Sequence, residues 1–222
     1  MKSYKIIIGF MMLFCCIYSC KEQGNQKVQK GTYKSTVKDS ITNADPNTLK
    51  SYYEKAHGTQ DTLKFRRLFF LMFPNNFNSF NSMYGYNDGK GEMPLYNFYE
   101  KHISFFCRLV SEQADAEGYN KLIRLGIGGH WDADPINLLQ ECIVQHVNRN
   151  PSLALMQLKQ FNDKEIKSFW KFFYDGPHPS DIQIKKRYNS LYVKMKVLDT
   201  AIANLMKNEY ERLVKEFETH GQ

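Results

Sequence analysis

The sequence predicts an all-α protein, an irregular bundle of eight or nine helices that follows a disordered N-terminal tether. Three observations lead there. From Pro46 onward, apolar residues recur at intervals of three and four, the spacing that puts them on one face of a helix. The pairs Asp45-Pro46, Asp134-Pro135 and Asn150-Pro151 supply helix starts, a capping side chain followed by a proline whose missing N–H is unneeded in the first turn. No run of strand-like alternation follows residue 45, and 16 Phe, 14 Tyr and 2 Trp provide ample bulk for a core.

The elements follow in order. Asp45-Pro46 opens a helix carrying Leu49, Tyr52, Tyr53 and Ala56, stopped by Gly58. A second begins at Asp61 and ends before Pro74; with Leu63, Phe65, Leu68, Phe69, Leu71, Met72 and Phe73 it is apolar nearly all round, so a central position is expected. Phe77, Phe80, Met83 and Tyr84 mark a short third helix. The segment Gly85–Glu92 reads as a loop. Pro94 opens a long fourth helix with Leu95, Phe98, His102, Phe105, Phe106 and Leu109 on one face, and Asp115 to Leu125 makes a fifth. Gly126, Gly128 and Gly129 then break the chain before Asp134-Pro135 restarts it, with Asp134 as cap and Ile136, Leu139, Ile143 and Val147 on the buried face. Asn150-Pro151 starts the next helix. Asn162 and Glu165 start another with capping-box spacing. After the rigid segment Asp175–Pro179, one last helix is expected from Ser180 to Glu218, with Tyr188, Leu191, Met195, Leu198, Ile202 and Leu205 as a heptad-like seam.

The N-terminus speaks to compartment. Lys2 and Lys5 precede an uncharged apolar stretch from Ile6 to Ser19, too short for a relaxed membrane span of about 20 residues. It closes on Ile17-Tyr18-Ser19-Cys20, followed by Lys21-Glu22-Gln23. This end resembles the lipobox of a bacterial lipoprotein signal peptide. The resemblance covers residues 1–20 alone and implies cleavage before Cys20, fatty acylation of Cys20 (palmitate among the acyl groups) and attachment to a membrane of the cell envelope. Tyr18 departs from the small residue usual at its position, and Cys15 and Cys16 are the rival sites. The implied organisation is a signal peptide over residues 1–19, a lipidated tether over 20–45 and a helical domain over 46–222. The stretch 21–45 holds only Val28, Tyr33, Val37 and Ile41 as larger apolar groups, too few to fold alone; a short edge strand at Val28–Val37 is the alternative.

Formal net charge is +7 for the whole chain. Outside the cytoplasm that balance points away from nucleic acid and toward anionic lipid or an acidic protein. Five cysteines are too few for a disulfide scaffold of this size, although Cys107 and Cys142, both on predicted core helices, are a candidate pair.

Two loops attract attention. Gly126–Asp134 sets His130, Trp131, Asp132 and Asp134 beside glycines, and an imidazole with carboxylates is metal-ligand chemistry. Three ligands so close in sequence strain that geometry, and packing of Trp131 in a corner is the plainer reading. Gly85–Glu92 carries Tyr86 and Asp88 but departs from the calcium-loop pattern at Lys90. Cys142 and His146 lie one helical turn apart, as a thiol and base would, yet they flank a core face. His102 reads as a core histidine, and His178 sits between two prolines in a turn. There is no G-x-S-x-G, H-E-x-x-H, P-loop or G-x-G-x-x-G motif, so neither a cofactor nor a metal is expected.

The function expected from these features is an envelope-anchored lipoprotein that binds a protein through loop residues Tyr86, Asp88, His130, Trp131, Asp132 and His178. An immunity protein neutralising a toxin is one such class. The alternatives are a glycan- or nutrient-binding surface lipoprotein and a metal-dependent hydrolase with a site near His130.

Overall fold

Apolar residues at helical spacing and Asx side chains at helix starts build the observed architecture. The computed structural model describes residues 45–58, 61–176 and 178–220; the signal-like segment, Cys20 and the proposed tether up to residue 44 lie outside the described residues. The described chain is all-α, with ten helices and a single two-stranded ribbon among the described residues.

Helix α1 (Pro46–Ala56) is capped by Asp45, whose carboxylate accepts from the Thr48 amide at 2.8 Å and the Thr48 hydroxyl at 2.6 Å. It packs against α2 (Thr62–Met72). α2 is less central than its composition suggests. Leu63 is 80% exposed, and burial is concentrated at Phe69, Phe70 and the following Phe73. The reason is charge: Lys64, Arg66 and Arg67 turn the first half of α2 to water, where Arg66 pairs with Glu112 and Arg67 with Glu117.

Helix α3 (Phe77–Tyr84) is capped by Asn76 and leads into the ribbon of β1 (Tyr86–Asn87) and β2 (Gly91–Glu92), paired antiparallel with Tyr86 opposite Glu92. The segment expected as a loop is thus a β-hairpin. Its strands are two residues long and carry no apolar alternation, so the pattern that reveals strands is absent. A 3₁₀ turn at Tyr96–Phe98 precedes α4 (Tyr99–Gln113), which begins five residues after Pro94 rather than at it.

Helices α5 (Ala116–Gly126), α6 (Pro135–Arg149), α7 (Pro151–Leu158) and α8 (Asp163–Tyr174) form the middle of the fold. The predicted box at α8 is present: the Glu165 amide donates to Asn162 Oδ1 at 3.1 Å, and the Asn162 amide donates to Glu165 Oε2 at 3.0 Å. Asn150 caps α7 through the Leu153 amide at 3.1 Å. The glycine break between α5 and α6 has a steric cause. A Cβ on Gly129 would lie 2.6 Å from Phe172 Cγ, and one on Gly126 would lie 2.7 Å from Phe169 Cδ2, so only bare backbone lets this corner close on α8.

The helix expected from 180 to 218 is two helices. α9 (Ile182–Leu198) and α10 (Thr200–His220) meet at Asp199, which is extended (φ −161°, ψ 109°) and whose Oδ1 accepts from the Ile202 amide at 3.0 Å. The seam breaks there, with Leu198 at 41% exposure. The two helices fold onto each other, stacking Tyr188 on Tyr210 with ring centroids 4.0 Å apart.

Aromatic side chains dominate the core in two groups. Phe69, Phe73, Phe80, Tyr84 and Phe106 cluster between α2, α3 and α4, with Phe73 and Phe106 stacked at 4.2 Å. Phe169, Trp170, Phe173 and Tyr174 of α8 pack together, and Tyr174 meets Tyr188 and Tyr210. Phe77 and Phe172, 5.6 Å apart, join the groups. His102 is fully buried in the first group, where Tyr84 Oη lies 2.9 Å from its Nδ1. Lys121 is buried too, and its ammonium donates to the carbonyls of Phe70 (2.6 Å) and Leu71 (3.2 Å), which the end of α2 leaves free.

Candidate functional site

Two loops distant in sequence converge. The β-hairpin after α3 is closed at its base by backbone bonds from Met93 N to Gly85 O (3.0 Å) and from Leu95 N to Met83 O (2.8 Å). The chain leaving the glycine corner arrives beside it at Asp132. Between them is an open cleft of about 430 Å³, lined by Tyr86, Asp88, Tyr96, Asp132, Asp134 and Ile136 among others. It presents three carboxylates, and no lysine or arginine lines it among the described residues.

Asp134 has an unexpected role. It does not cap α6: its backbone is at φ 53°, ψ −109°, and its side chain makes no capping bond. The carboxylate instead accepts from the Tyr96 hydroxyl at 2.5 Å. That bond, reinforced by the charge of Asp134, pushes the Tyr96 phenol up to about 12. Tyr86, 55% exposed, stands edge-on to Tyr96 with centroids 6.3 Å apart. Tyr86 and Tyr96 thus offer aromatic surface beside acceptor-only carboxylates, a combination that suits cationic or hydroxyl-rich groups.

The other predicted contact residues lie elsewhere. His130 is exposed, does not line the cleft, and sets its ring edge-on to Phe77 at 5.0 Å. Among the described residues no group of three His, Cys, Asp or Glu side chains is placed to hold a metal ion. Trp131 neither plugs the core nor stands free. Half-buried, it edges a separate groove of about 180 Å³ with Asp175, Ile184 and Arg187, while its amide donates to Asp175 Oδ2 at 2.9 Å. Beneath that groove Gln140 Nε2 donates to the carbonyls of Phe172 (2.5 Å) and Asp175 (2.7 Å), tying off the end of α8. His178 is exposed and rests against Phe217 at 5.5 Å.

Cys107 of α4 and Cys142 of α6 are joined by a disulfide, with Cα atoms 5.9 Å apart. The bond removes the thiol from the Cys142–His146 pairing. His146 Nδ1 lies 2.8 Å from the Cys142 carbonyl, which can only accept, so Nδ1 carries the proton. Nε2 then accepts from the Ser111 hydroxyl at 3.0 Å. Burial holds the His146 imidazole below its ordinary range.

Tyr96 is the cleft residue that sequence reasoning missed. It lies off the apolar face drawn from Leu95, Phe98 and His102; an aromatic outside a core stripe was the available signal. Comparison with family models, curated proteins and solved structures gives no match for this chain.

Proposed function

We propose that the chain is an envelope-anchored lipoprotein, held by lipid on Cys20, whose helical domain binds a protein partner through the cleft between the β-hairpin and the start of α6. The observation that carries this reading is the convergence of the two candidate loops on one cleft with exposed Tyr86 at its rim. Recognition residues sit disproportionately on loops held by a rigid scaffold, and tyrosine is enriched in binding hot spots. The carboxylates specify the partner's chemistry: a segment presenting lysine or arginine. The Cys107–Cys142 disulfide supports a location outside the reducing cytosol, where such bonds persist. An immunity protein that captures a toxin at the envelope is the functional class this arrangement suits.

A photo-crosslinking residue at position 86 in producing cells tests the reading. A discrete protein adduct is expected. Asp132→Asn combined with Asp88→Asn should weaken binding of that partner by at least about tenfold, in line with the roughly 2 kcal/mol of a hot-spot contact. Absence of any protein adduct would overturn it.

The cleft volume favours one second reading. About 430 Å³ falls within the roughly 300–1,000 Å³ of small-ligand sites, and tyrosine with carboxylates also suits a sugar. Oligosaccharide binding abolished by Tyr86→Ala would support a glycan-binding lipoprotein instead.

A further inference from the structure

Helix α9 is amphipathic twice over. Its inner face buries Tyr188, Leu191 and Met195. Ile182, Lys186, Asn189, Val193 and Val197 follow at spacings of four, three, four and four, on the side away from that face. Ile182 is 62% exposed, Val193 63% and Val197 84%, among the most exposed large apolar side chains described. Lys185 and Lys196 flank this stripe on one side and Lys194 on the other, all exposed. Lys185, Lys186, Arg187, Lys194 and Lys196 give the helix five basic residues and no acidic one. Over residues 46–222 there are 23 Lys and Arg against 20 Asp and Glu, a net of +3, so the rest of that span without α9 sums to −2. The acids that flank it in sequence are engaged: Asp181 caps the helix through the Gln183 amide at 2.7 Å, and Asp199 pairs with Lys159 at 2.9 Å; on α10, Glu211, whose charge reaches Tyr188, pairs with Lys207 at 3.7 Å.

We infer that the outer face of α9 docks on an anionic lipid surface. A narrow apolar stripe between lysines is the pattern of a helix lying at a membrane interface: the apolar side chains enter the headgroup boundary and the lysine stems let their ammonium groups reach phosphates. An acidic protein would answer the lysines but leave Val193 and Val197 unexplained. The lipid-anchor reading sharpens the inference, because the 25 residues between Cys20 and Pro46, as a flexible chain at roughly 5–6 Å × √n, would span about 25–30 Å on average and so bring the domain near the membrane. The inference extends that reading and is tested without acylation.

The test uses the full chain carrying Cys20→Ser, so that no lipid is attached, and flotation with vesicles of phosphatidylcholine alone or mixed with phosphatidylglycerol. The apolar stretch Ile6–Ser19 and the seven lysines before Pro46 are common to every variant, so the part played by α9 is read from the change its substitutions make. Anionic vesicles should capture the chain at least about tenfold better, and added salt should erase the difference. Lys185→Gln, Lys186→Gln, Lys194→Gln and Lys196→Gln together should lower that preference severalfold. The same change at exposed Lys55, Lys64, Lys101 and Lys164 should leave it. Val193→Ser with Val197→Ser should lower capture while the helical circular dichroism holds. Equal capture by both vesicle types, or equal loss with the control lysines, would overturn the proposal. So would binding of polyglutamate without any preference for anionic vesicles. None of these results depends on whether Cys20 is acylated in the cell.

Discussion

Asp134 shows how a single residue departs from its local rule. A non-glycine residue held at positive φ costs on the order of 1–3 kcal/mol, and Asp134 persists there because its carboxylate meets Tyr96. Asp134→Gly should therefore keep the melting temperature or raise it while weakening partner binding. Asp134→Ala keeps the strain and loses the bond, and should cost about 1–2 kcal/mol of stability in denaturant unfolding. The sequence made a cap of Asp134 because Asx-Pro is correct at Asp45 and Asn150. Nothing local announces a phenol arriving from 38 residues away. His102 was legible, since an imidazole on an apolar stripe belongs to the core. Burial, helped by Lys50 and Lys101, lowers it from 6.5 to about 4. Between those values the unfolded chain binds a proton that the folded chain refuses, so stability is complete above about pH 6.5 and falls as pH drops toward 4. The loss should reach about 3 kcal/mol at most, and His102→Gln should flatten that part of the stability–pH curve.

At the scale of elements, the disulfide closes a loop of sequence separation 35 between α4 and α6. Chain-entropy reasoning puts its contribution at up to about 4 kcal/mol. Reduction by dithiothreitol should lower the unfolding midpoint accordingly, and Cys107→Ala with Cys142→Ala should match the reduced protein and no longer respond to reductant. Helix starts were readable wherever an Asx side chain capped the next turn, as at Asp45, Asn150 and Asn162. The break at Asp199 was not. The apolar period runs from Tyr188 past Ile202 without interruption, and a lone aspartate can sit on the outer face of a continuous helix. Tertiary contacts, the stacking of Tyr188 on Tyr210 and the pairing of Asp199 with Lys159 among them, separate two helices from one. α2 misled in the opposite sense. Counting its apolar residues hid the charges that turn Leu63 outward.

For the whole molecule, the positions that fill the core were largely readable, because burial follows helical periodicity. The cleft was readable only as two suspect loops. Its existence depends on the chain returning to Asp132 some forty residues after Asp88, and periodicity carries no information about such a return. His130, Trp131 and Asp132 are consecutive yet face three surroundings, against Phe77, the Asp175 groove and the cleft, because they lie in irregular chain after the glycine corner. The anchor belongs to this scale too. Metabolic labelling with a palmitate analogue should mark the chain, and Cys20→Ser should abolish the label; persistence of the label would shift the assignment to Cys15 or Cys16.

The turn at Asp199 has a consequence for how the molecule opens and closes. Tyr188 and Tyr210 each stand eleven residues from it, so α9 and α10 can zip together from a local start with little loop entropy to overcome. The hairpin does not close on itself alone: Tyr174 of α8 completes its inner face, edge-on to both Tyr188 and Tyr210, with its hydroxyl 3.6 Å from Met206 Sδ. Helices α8 to α10 should therefore exchange their amide hydrogens as one cooperative unit, with α10 no better protected than the α8 aromatics it covers. Tyr174→Leu, which loosens that shared face, should speed exchange along all of α10 while leaving α1 and α2 unchanged.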